Sequence, residues 1–260
     1  MKDPVILTFV LLFGLAFGSF INVLIYRLPR NESLVRPKSK CPECGTAIKF
    51  YDNIPVLSYI ILRGKCRNCG KTISLRYPLI EILSGLLMTF AIFRFGFTVK
   101  GIEVAFLSLV LLAIFFIDLD FTIIPNSLTL PGIPIGLAVS FIPGAMIGWT
   151  QSLIGLAVGG GVFFIVGFLG ELVFKKEALG FGDVKYAAMV GAFLGWKNLL
   201  LMLIIASFLG SVIGIAMILA SRDKKKSTYI PFGPFLTVGA WISIYFGDMI
   251  VRAYLNLIGV

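Results

Sequence analysis

The chain has 260 residues, of which 58% are hydrophobic and only 14% are charged. A soluble domain contains about 45–50% apolar and about 25% charged residues, so this composition excludes a soluble fold and predicts an integral membrane protein. Basic residues outnumber acidic ones by 23 to 13, and the chain contains no histidine, which excludes Ser-His-Asp and Cys-His catalysis and zinc sites with histidine ligands.

Eight apolar runs follow one another along the chain. They are continuous rather than alternating, and most approach the roughly 20 residues that a membrane-spanning helix needs. We therefore expect an all-α polytopic membrane protein with about eight transmembrane helices, not a β-barrel. The runs cover residues 5–26, 79–97, 101–117, 127–147, 151–173, 186–196, 198–220 and 232–255.

The basic residues predict an orientation in the membrane. If the N-terminus lies outside, eighteen of the 23 Lys and Arg residues fall on the cytoplasmic side and five on the other. Such a bias is typical of membrane proteins, whose basic residues set the orientation and contact lipid headgroups. We therefore expect the basic residues to contact the lipid bilayer and not a nucleic acid. The polar segment 27–78 is then cytoplasmic, together with the shorter loops 118–126, 174–185 and 221–231.

Small residues recur at a spacing that favours close helix packing. Glycines four residues apart on one helix face let a neighbouring backbone approach, and we expect this role rather than a chemical one. The pairs are Gly14/Gly18, Gly155/Gly159, Gly191/Gly195 and Gly210/Gly214.

Four cysteines lie in the polar segment 27–78. They form two C-x2-C pairs separated by 21 residues, and each pair is followed by a glycine, Gly45 or Gly70. This spacing is typical of a zinc ribbon, in which two turns aim four thiolates at one metal ion. A Zn²⁺ ion coordinated by four sulfurs has no open coordination position, so we expect it to stabilise the loop rather than to catalyse a reaction. Disulfides are the alternative, which a reducing cytoplasm disfavours. The predicted ligands are Cys41, Cys44, Cys66 and Cys69.

Carboxylates at membrane depth are the main candidates for acid–base chemistry. Asp118 and Asp120 close the third run, and Asp183 opens the sixth within Gly180-Phe181-Gly182-Asp183. Such groups are costly to bury, so they usually have a function. Two carboxyl groups from different helices can share a proton, and one then acts as acid and the other as base on a water and an amide. Ion pairing of Asp183 with Lys185, or helix capping by Asp183, is an equally open alternative.

These motifs resemble those of one protein family. Gly180-Phe181-Gly182-Asp183 matches the GxGD motif of intramembrane aspartic proteases, and Asp118 precedes Ile124-Pro125-Asn126 at the spacing seen in type IV prepilin peptidases. The similarity to the bifunctional bacterial members extends over essentially the whole chain. Its other motifs are Gly18-Ser19-Phe20-Ile21-Asn22-Val23, Tyr26-Arg27-Leu28-Pro29, the cysteine quartet, Tyr77-Pro78-Leu79-Ile80-Glu81 and Ile230-Pro231-Phe232-Gly233-Pro234-Phe235.

The resemblance implies an activity and a location. Asp118 and Asp183 would be the catalytic pair, with Asp120 of lesser importance. The enzyme would cleave the leader of prepilins or pseudopilins after a Gly, at the cytoplasmic face of the bacterial inner membrane. It would then N-methylate the new N-terminal residue, usually Phe, with S-adenosylmethionine as donor. The residues that the resemblance links to methylation and the cofactor are Gly18, Asn22, Arg27 and Glu81.

The resemblance also implies two regions. Residues 1–97, which contain the first span, the zinc loop and the second span, would serve methylation, and residues 98–260 would form the peptidase domain. Members without the first region only cleave, so both activities are expected here. The sequence has no glycine-rich motif of a soluble cofactor fold, so it does not locate the donor site. It does not give an oligomeric state either.

Three other hypotheses use the same residues. The first is a prepilin peptidase that only cleaves. The second is a small ion-coupled transporter, which predicts acids near mid-span and inverted repeats, whereas the key acids here lie at span ends and no such repeat is evident. The third is a zinc-ribbon docking protein without catalysis, which leaves the aspartate motifs unexplained.

Overall fold

The predicted all-α class is confirmed. The computed structural model describes residues 3–175, 180–220 and 231–257; Ile230, most of the predicted loop 221–231 and part of the predicted loop 174–185 lie outside this range. Over the described residues the regular structure is helical, and β-pairing is limited to two isolated bridges. In chain order the helices are α1 (Pro4–Arg27), α2 (Leu57–Ile61), α3 (Arg76–Phe95), α4 (Val99–Phe121), α5 (Asn126–Val139), α6 (Trp149–Phe174), α7 (Phe181–Ala220) and α8 (Gly233–Leu257).

Six of the described helices, not eight, are long and apolar enough to cross a membrane. The difference arises at two places. The run 127–147 yields only the 14 residues of α5, because the helix stops before Pro143-Gly144. The runs 186–196 and 198–220 form the single element α7, which Gly195 interrupts with a non-helical φ of 72° and ψ of 170°. Each predicted run therefore has a helical counterpart, but not each is an independent span.

The chain divides into two compact units, residues 1–113 and 114–260. In the first unit, α1 begins where Asp3 accepts a hydrogen bond from the Val5 N–H at 2.9 Å and Pro4 occupies the first turn. α1 packs against α3 through glycine, as the spacing predicts. A Cβ on Gly14 would lie 2.8 Å from the Gly85 Cα, so the two backbones touch at this point.

In the second unit, α7 packs against α5, α6 and α8. The contact with α6 is again between backbones, since a Cβ on Gly155 would overlap the Gly191 carbonyl oxygen. Ser152 reinforces this contact by donating its hydroxyl to the Ala192 carbonyl at 2.6 Å. Gly195 packs closely too, since its Cα would lie 2.8 Å from a Cβ on Gly155, but it also breaks the helix. One glycine expected to pack does not do so, because a Cβ added at Gly214 would have none of the described atoms within 4 Å.

Candidate active site and metal centre

Asp118 lies in the last turn of α4 and is buried, with only 5% of its surface exposed. The Gly233 N–H, at the start of α8, donates to its Oδ2 at 2.9 Å. Asp120, two residues on, is exposed. Since residues two apart point to different sides of a helix, the structure separates one enclosed carboxyl group from one facing outward.

Asp183 is the third residue of α7 and is partly buried. The glycines before it let the chain come close to its neighbour, because a Cβ on Gly182 would lie only 3.1 Å from the Ile124 Cβ. Ile124 follows α4 shortly after Asp118, so this close approach brings the two aspartates to the same place. The Asp118 and Asp183 side chains interact electrostatically. The structure therefore brings the two predicted acids together.

Lys185 does not pair with Asp183 among the contacts of the described residues. Its Nζ donates to the Asn126 Oδ1 at 2.8 Å and lies 4.8 Å from the centre of the Phe181 ring. The expected alternative of an Asp183–Lys185 ion pair is thus not observed. Asn126 belongs to the Ile124-Pro125-Asn126 motif, so this hydrogen bond joins the two aspartate-bearing segments a second time.

The sequence motifs do not identify two buried polar side chains near the aspartates, Tyr186 and Thr237. Tyr186 is fully buried on α7, and its hydroxyl lies 3.2 Å from the Thr237 Oγ1 on α8. The phenol oxygen interacts electrostatically with both Asp118 and Asp183. Helix spacing could have identified both residues. Tyr186 follows Asp183 by three residues and Thr237 follows Gly233 by four residues, so each pair shares a helix face. Gly233 itself lies within one of the family motifs, but its sequence context gives it no role.

The four residues linked to methylation lie in the C-terminal half of α1 and the N-terminal half of α3, where three of them make structural contacts. A Cβ on Gly18 would meet the Glu81 backbone, and the Asn22 side chain donates to the Tyr77 carbonyl at 3.1 Å. Glu81 is buried and accepts the Val56 N–H at 2.7 Å. Arg27 differs from these three residues. Its guanidinium donates hydrogen bonds to the Ser33 and Pro37 carbonyls of the polar loop, and it lines a cavity.

The two cysteine pairs have the same backbone geometry. Cys41 donates its N–H to the Thr46 carbonyl at 2.9 Å, and Cys66 does the same to Lys71 at 2.8 Å. Gly45 and Gly70 close the turns with φ values of 68° and 69°, a conformation that favours glycine. An isolated antiparallel bridge flanks each turn, Lys40 with Ala47 and Lys65 with Thr72. The loop therefore contains two copies of one turn.

The four sulfurs of these turns could hold one metal ion. All four cysteines are free thiols, and their Sγ atoms lie within 4.8 Å of one another. The Cys41–Cys69 sulfur distance is 3.9 Å, close to the roughly 3.8 Å edge of a tetrahedron with Zn–S bonds of about 2.3 Å. Donor number, donor type and spacing thus fit a tetrahedral ion.

Hydrogen bonds favour the thiolate at two of these sulfurs. Bonds with the Thr46 side chain and backbone, and with Asn68, lower the pKa of Cys44 to about 6. Backbone hydrogen bonds from Cys69 and Asn68 lower the pKa of Cys66. At Cys69 a backbone bond with Lys71 acts in the same direction, but desolvation and the other three thiols outweigh it and raise the pKa to about 11. A bound metal cation would favour the Cys69 thiolate and so lower this pKa.

Two protein-family models match the chain. The profile described as "Bacterial Peptidase A24 N-terminal domain" matches residues 12–95, and that of the "Type IV leader peptidase family" matches residues 105–215. No solved structure matches the chain significantly.

Several relatives carry the name prepilin leader peptidase/N-methyltransferase. The protein from Myxococcus xanthus is 46% identical over 86% of this chain and 67% of its own length. The one from Pseudomonas putida is 35% identical over 100% of this chain and 97% of its own. The one from Pseudomonas aeruginosa is 37% identical over 96% of this chain and 93% of its own length. Identity of this degree over nearly full length establishes that the chain belongs to the type IV leader peptidase family.

Proposed function

We propose that this protein is a membrane aspartic endopeptidase that cleaves the leader from type IV prepilins or pseudopilins after a Gly and N-methylates the new N-terminal residue. Cleavage takes place at the cytoplasmic face of the bacterial inner membrane, where a basic leader meets the start of an apolar helix. The observation that carries the proposal is that Asp118 and Asp183, at the ends of two apolar helices, lie close enough to interact electrostatically. The named relatives carry both activities in their names.

The aspartate pair performs the hydrolysis. One carboxylate takes a proton from a water molecule, whose oxygen attacks the carbonyl carbon of the scissile peptide bond. The other carboxyl group, protonated, hydrogen-bonds to the carbonyl oxygen and supplies the proton that the leaving nitrogen takes up as the C–N bond breaks. The Gly233 N–H fixes the orientation of Asp118 during these steps. Neither histidine nor a metal is needed.

The cysteine quartet binds a structural Zn²⁺ ion. The thiols of Cys41, Cys44, Cys66 and Cys69 fill all four positions of a tetrahedral site. The ion thereby joins two turns that are separated in sequence and have few apolar side chains of their own. It folds the loop and takes no part in the reaction.

S-adenosylmethionine serves as methyl donor and supplies an electrophilic methyl group when bound. The protein's task is to hold the newly exposed, deprotonated amine against that group and to exclude water. Cleavage precedes methylation, because the α-nitrogen is part of the scissile amide until then. The names of the relatives support this reading over an ion-coupled carrier or a docking protein, and over a peptidase that only cleaves.

The test uses two single variants and a matched control. Asp118→Asn and Asp183→Asn each replace one carboxyl group with a neutral amide, and Asp120→Asn makes the same replacement at the exposed position. Co-expressed prepilin is analysed by mass spectrometry, which detects leader loss and a methyl increment of about 14 Da separately. We expect the first two variants to lose cleavage by at least about 10³-fold, and the control to retain it.

Methylation is measured independently on a synthetic pilin peptide that already begins with the free amine. The Asp118→Asn protein should still methylate this peptide, which shows that it is folded. Cleavage by either aspartate variant at the wild-type rate would refute the two-aspartate mechanism. Absence of methylation by the wild type would leave only the peptidase.

A further inference from the structure

The first unit contains a cavity of about 700 Å³ at the C-terminal end of α1. Phe20, Val23 and Arg27 line it from one face of that helix, since they lie three and four residues apart. The segment 34–53 of the polar loop supplies the rest of the wall. The cavity therefore lies between the end of an apolar helix and the loop that follows it, and its volume is within the range of roughly 300–1,000 Å³ that ligand sites occupy.

Three basic side chains and no acidic one are found among the described residues that line this cavity. Arg27 is only 8% exposed, whereas Lys38 and Lys49 are exposed. The Arg27 guanidinium donates to two loop carbonyls, which uses two of its five N–H groups. The one ion pair found in the described part of the chain joins Arg67 to Asp52, so no carboxylate forms an ion pair with Arg27 there. The cavity therefore favours an anionic ligand.

An exposed apolar face of α1 leads into the cavity. Phe13 and Phe17 are 57% and 38% exposed, and Phe20 of the cavity wall is 46% exposed. These residues and Arg27 are spaced by four, three and seven positions, so all four share one face of the helix. Because α1 is long and apolar enough to cross a membrane, this face contacts acyl chains. Arg27 lies about 10 Å beyond Phe20 along the helix axis, where the headgroup of such a lipid would be.

The loop wall of the cavity also has exposed apolar side chains. Val35 is 82% exposed and Phe50 86% exposed, although both belong to a polar loop. Next to Phe50, the Tyr51 ring has the Lys49 Nζ at 5.6 Å and the Arg67 guanidinium at 5.5 Å from its centre. Aromatic rings among basic residues are typical of the membrane–water interface. The wall thus combines positive charge with apolar surface, which suits an amphiphile better than a soluble anion.

We propose that this cavity binds the headgroup of an anionic phospholipid, with Arg27, Lys38 and Lys49 around the phosphate and an acyl chain along Phe13, Phe17 and Phe20. The bound lipid holds the segment 34–53 at the membrane surface. The three cations disfavour the basic leader of a prepilin. They also disfavour S-adenosylmethionine, whose ammonium and sulfonium outweigh its single carboxylate. The inference does not depend on either activity of the proposed function.

The experiment measures lipid binding to the full-length protein by native mass spectrometry, in neutral detergent and about 0.15 M salt, which screens distant charges. Phosphatidylglycerol is compared with phosphatidylcholine of the same acyl chains, and glycerol-3-phosphate is added as a soluble competitor. Lys38→Gln/Lys49→Gln removes the two exposed cations, and Arg27→Met removes the buried one. Lys40→Gln/Lys65→Gln is the control, because both lysines are exposed on the same loop but do not line the cavity.

We expect phosphatidylglycerol to bind about tenfold or more tightly than phosphatidylcholine, and each cavity variant to weaken its binding by about tenfold or more. The control should keep the wild-type Kd, and a photoactivatable phosphatidylglycerol should crosslink within residues 20–53. Equal affinity for the two lipids, an equal loss in the control or a crosslink elsewhere would overturn the proposal. Displacement by an equal concentration of glycerol-3-phosphate would overturn it in favour of a soluble phosphate. If Arg27→Met fails to fold, the variant at the two exposed lysines decides the outcome.

Discussion

Gly233 shows how one backbone position can determine an active site. Its N–H donates to Asp118 at 2.9 Å, and a Cβ added at this glycine would run into the Asp118 carboxyl group. We expect Gly233→Ala to displace that carboxyl group and to reduce kcat for leader cleavage by about tenfold or more, because small misplacement of a catalytic group is costly. The measurement is cleavage of a purified prepilin in detergent.

Gly214→Ala is the control for this change. The described structure leaves open space around a side chain at Gly214, so the same added methyl group meets nothing there. Near-wild-type kinetics are expected for it. Equal activity in both variants would mean that the Gly233 contact does not matter for catalysis.

Tyr186 and Thr237 form a buried polar pair near the two aspartates. Tyr186→Phe leaves the Thr237 hydroxyl without this partner, which typically costs about 1 kcal/mol of folding free energy. Because the tyrosine oxygen also interacts electrostatically with both aspartates, we expect a shifted pH–rate profile in addition to a lower Tm. An unchanged profile with a lower Tm would assign Tyr186 a purely structural role.

The two cysteine turns require glycine at Gly45 and Gly70 for its backbone conformation rather than for its small size. Gly45 and Gly70 have φ near +68° and no described atom within 4 Å of an added Cβ, so alanine fits sterically but costs about 1–2 kcal/mol for a left-handed backbone. We expect Gly45→Ala to bind zinc about tenfold more weakly in a competition titration with a chelator.

Gly148→Ala serves as comparison, since Gly148 also has open space but a φ of −79°. It should not change zinc affinity. If wild-type protein purified without chelator is folded and contains no zinc by elemental analysis, the structural role of the metal is refuted.

Helix pairing in the second unit depends on Gly155. Alanine there would push a methyl group against the Gly191 carbonyl and the Gly195 Cα, and overpacking of this kind costs about 1–3 kcal/mol. We expect Gly155→Ala to lower the Tm in detergent by several degrees. Gly161→Ala on the same helix α6 has open space and should not; equal Tm values for the two variants would contradict the backbone contact.

At the level of the whole chain, composition and motifs predicted the helical class, the cysteine cluster and the pairing of Asp118 with Asp183. They did not predict how far each helix extends. Hydropathy continues beyond Val139 and across Gly195, but α5 ends at Val139 and a non-helical backbone at Gly195 interrupts α7. Tyr186 and Gly233 were missed for a related reason, since an apolar helix context hides a polar contact that only tertiary structure creates.

The orientation of the molecule is the prediction on which the site of cleavage depends. With the N-terminus outside, the segment 27–78 faces the cytoplasm; if the 14-residue α5 crosses the membrane, as the hydropathy run 127–147 predicts, the turn between α5 and α6 faces outward. Pro143→Cys places a thiol on an exposed residue of that turn, and Glu32→Cys places one on an exposed residue of the long loop. In spheroplasts treated with a membrane-impermeant maleimide, Pro143→Cys should be labelled at once, and Glu32→Cys only after permeabilisation. The wild type reports the background from the four native cysteines. The reverse pattern would put Asp118, which lies at the opposite end of α5 from that turn, outside the cell, where it could not meet a prepilin leader before the substrate is exported.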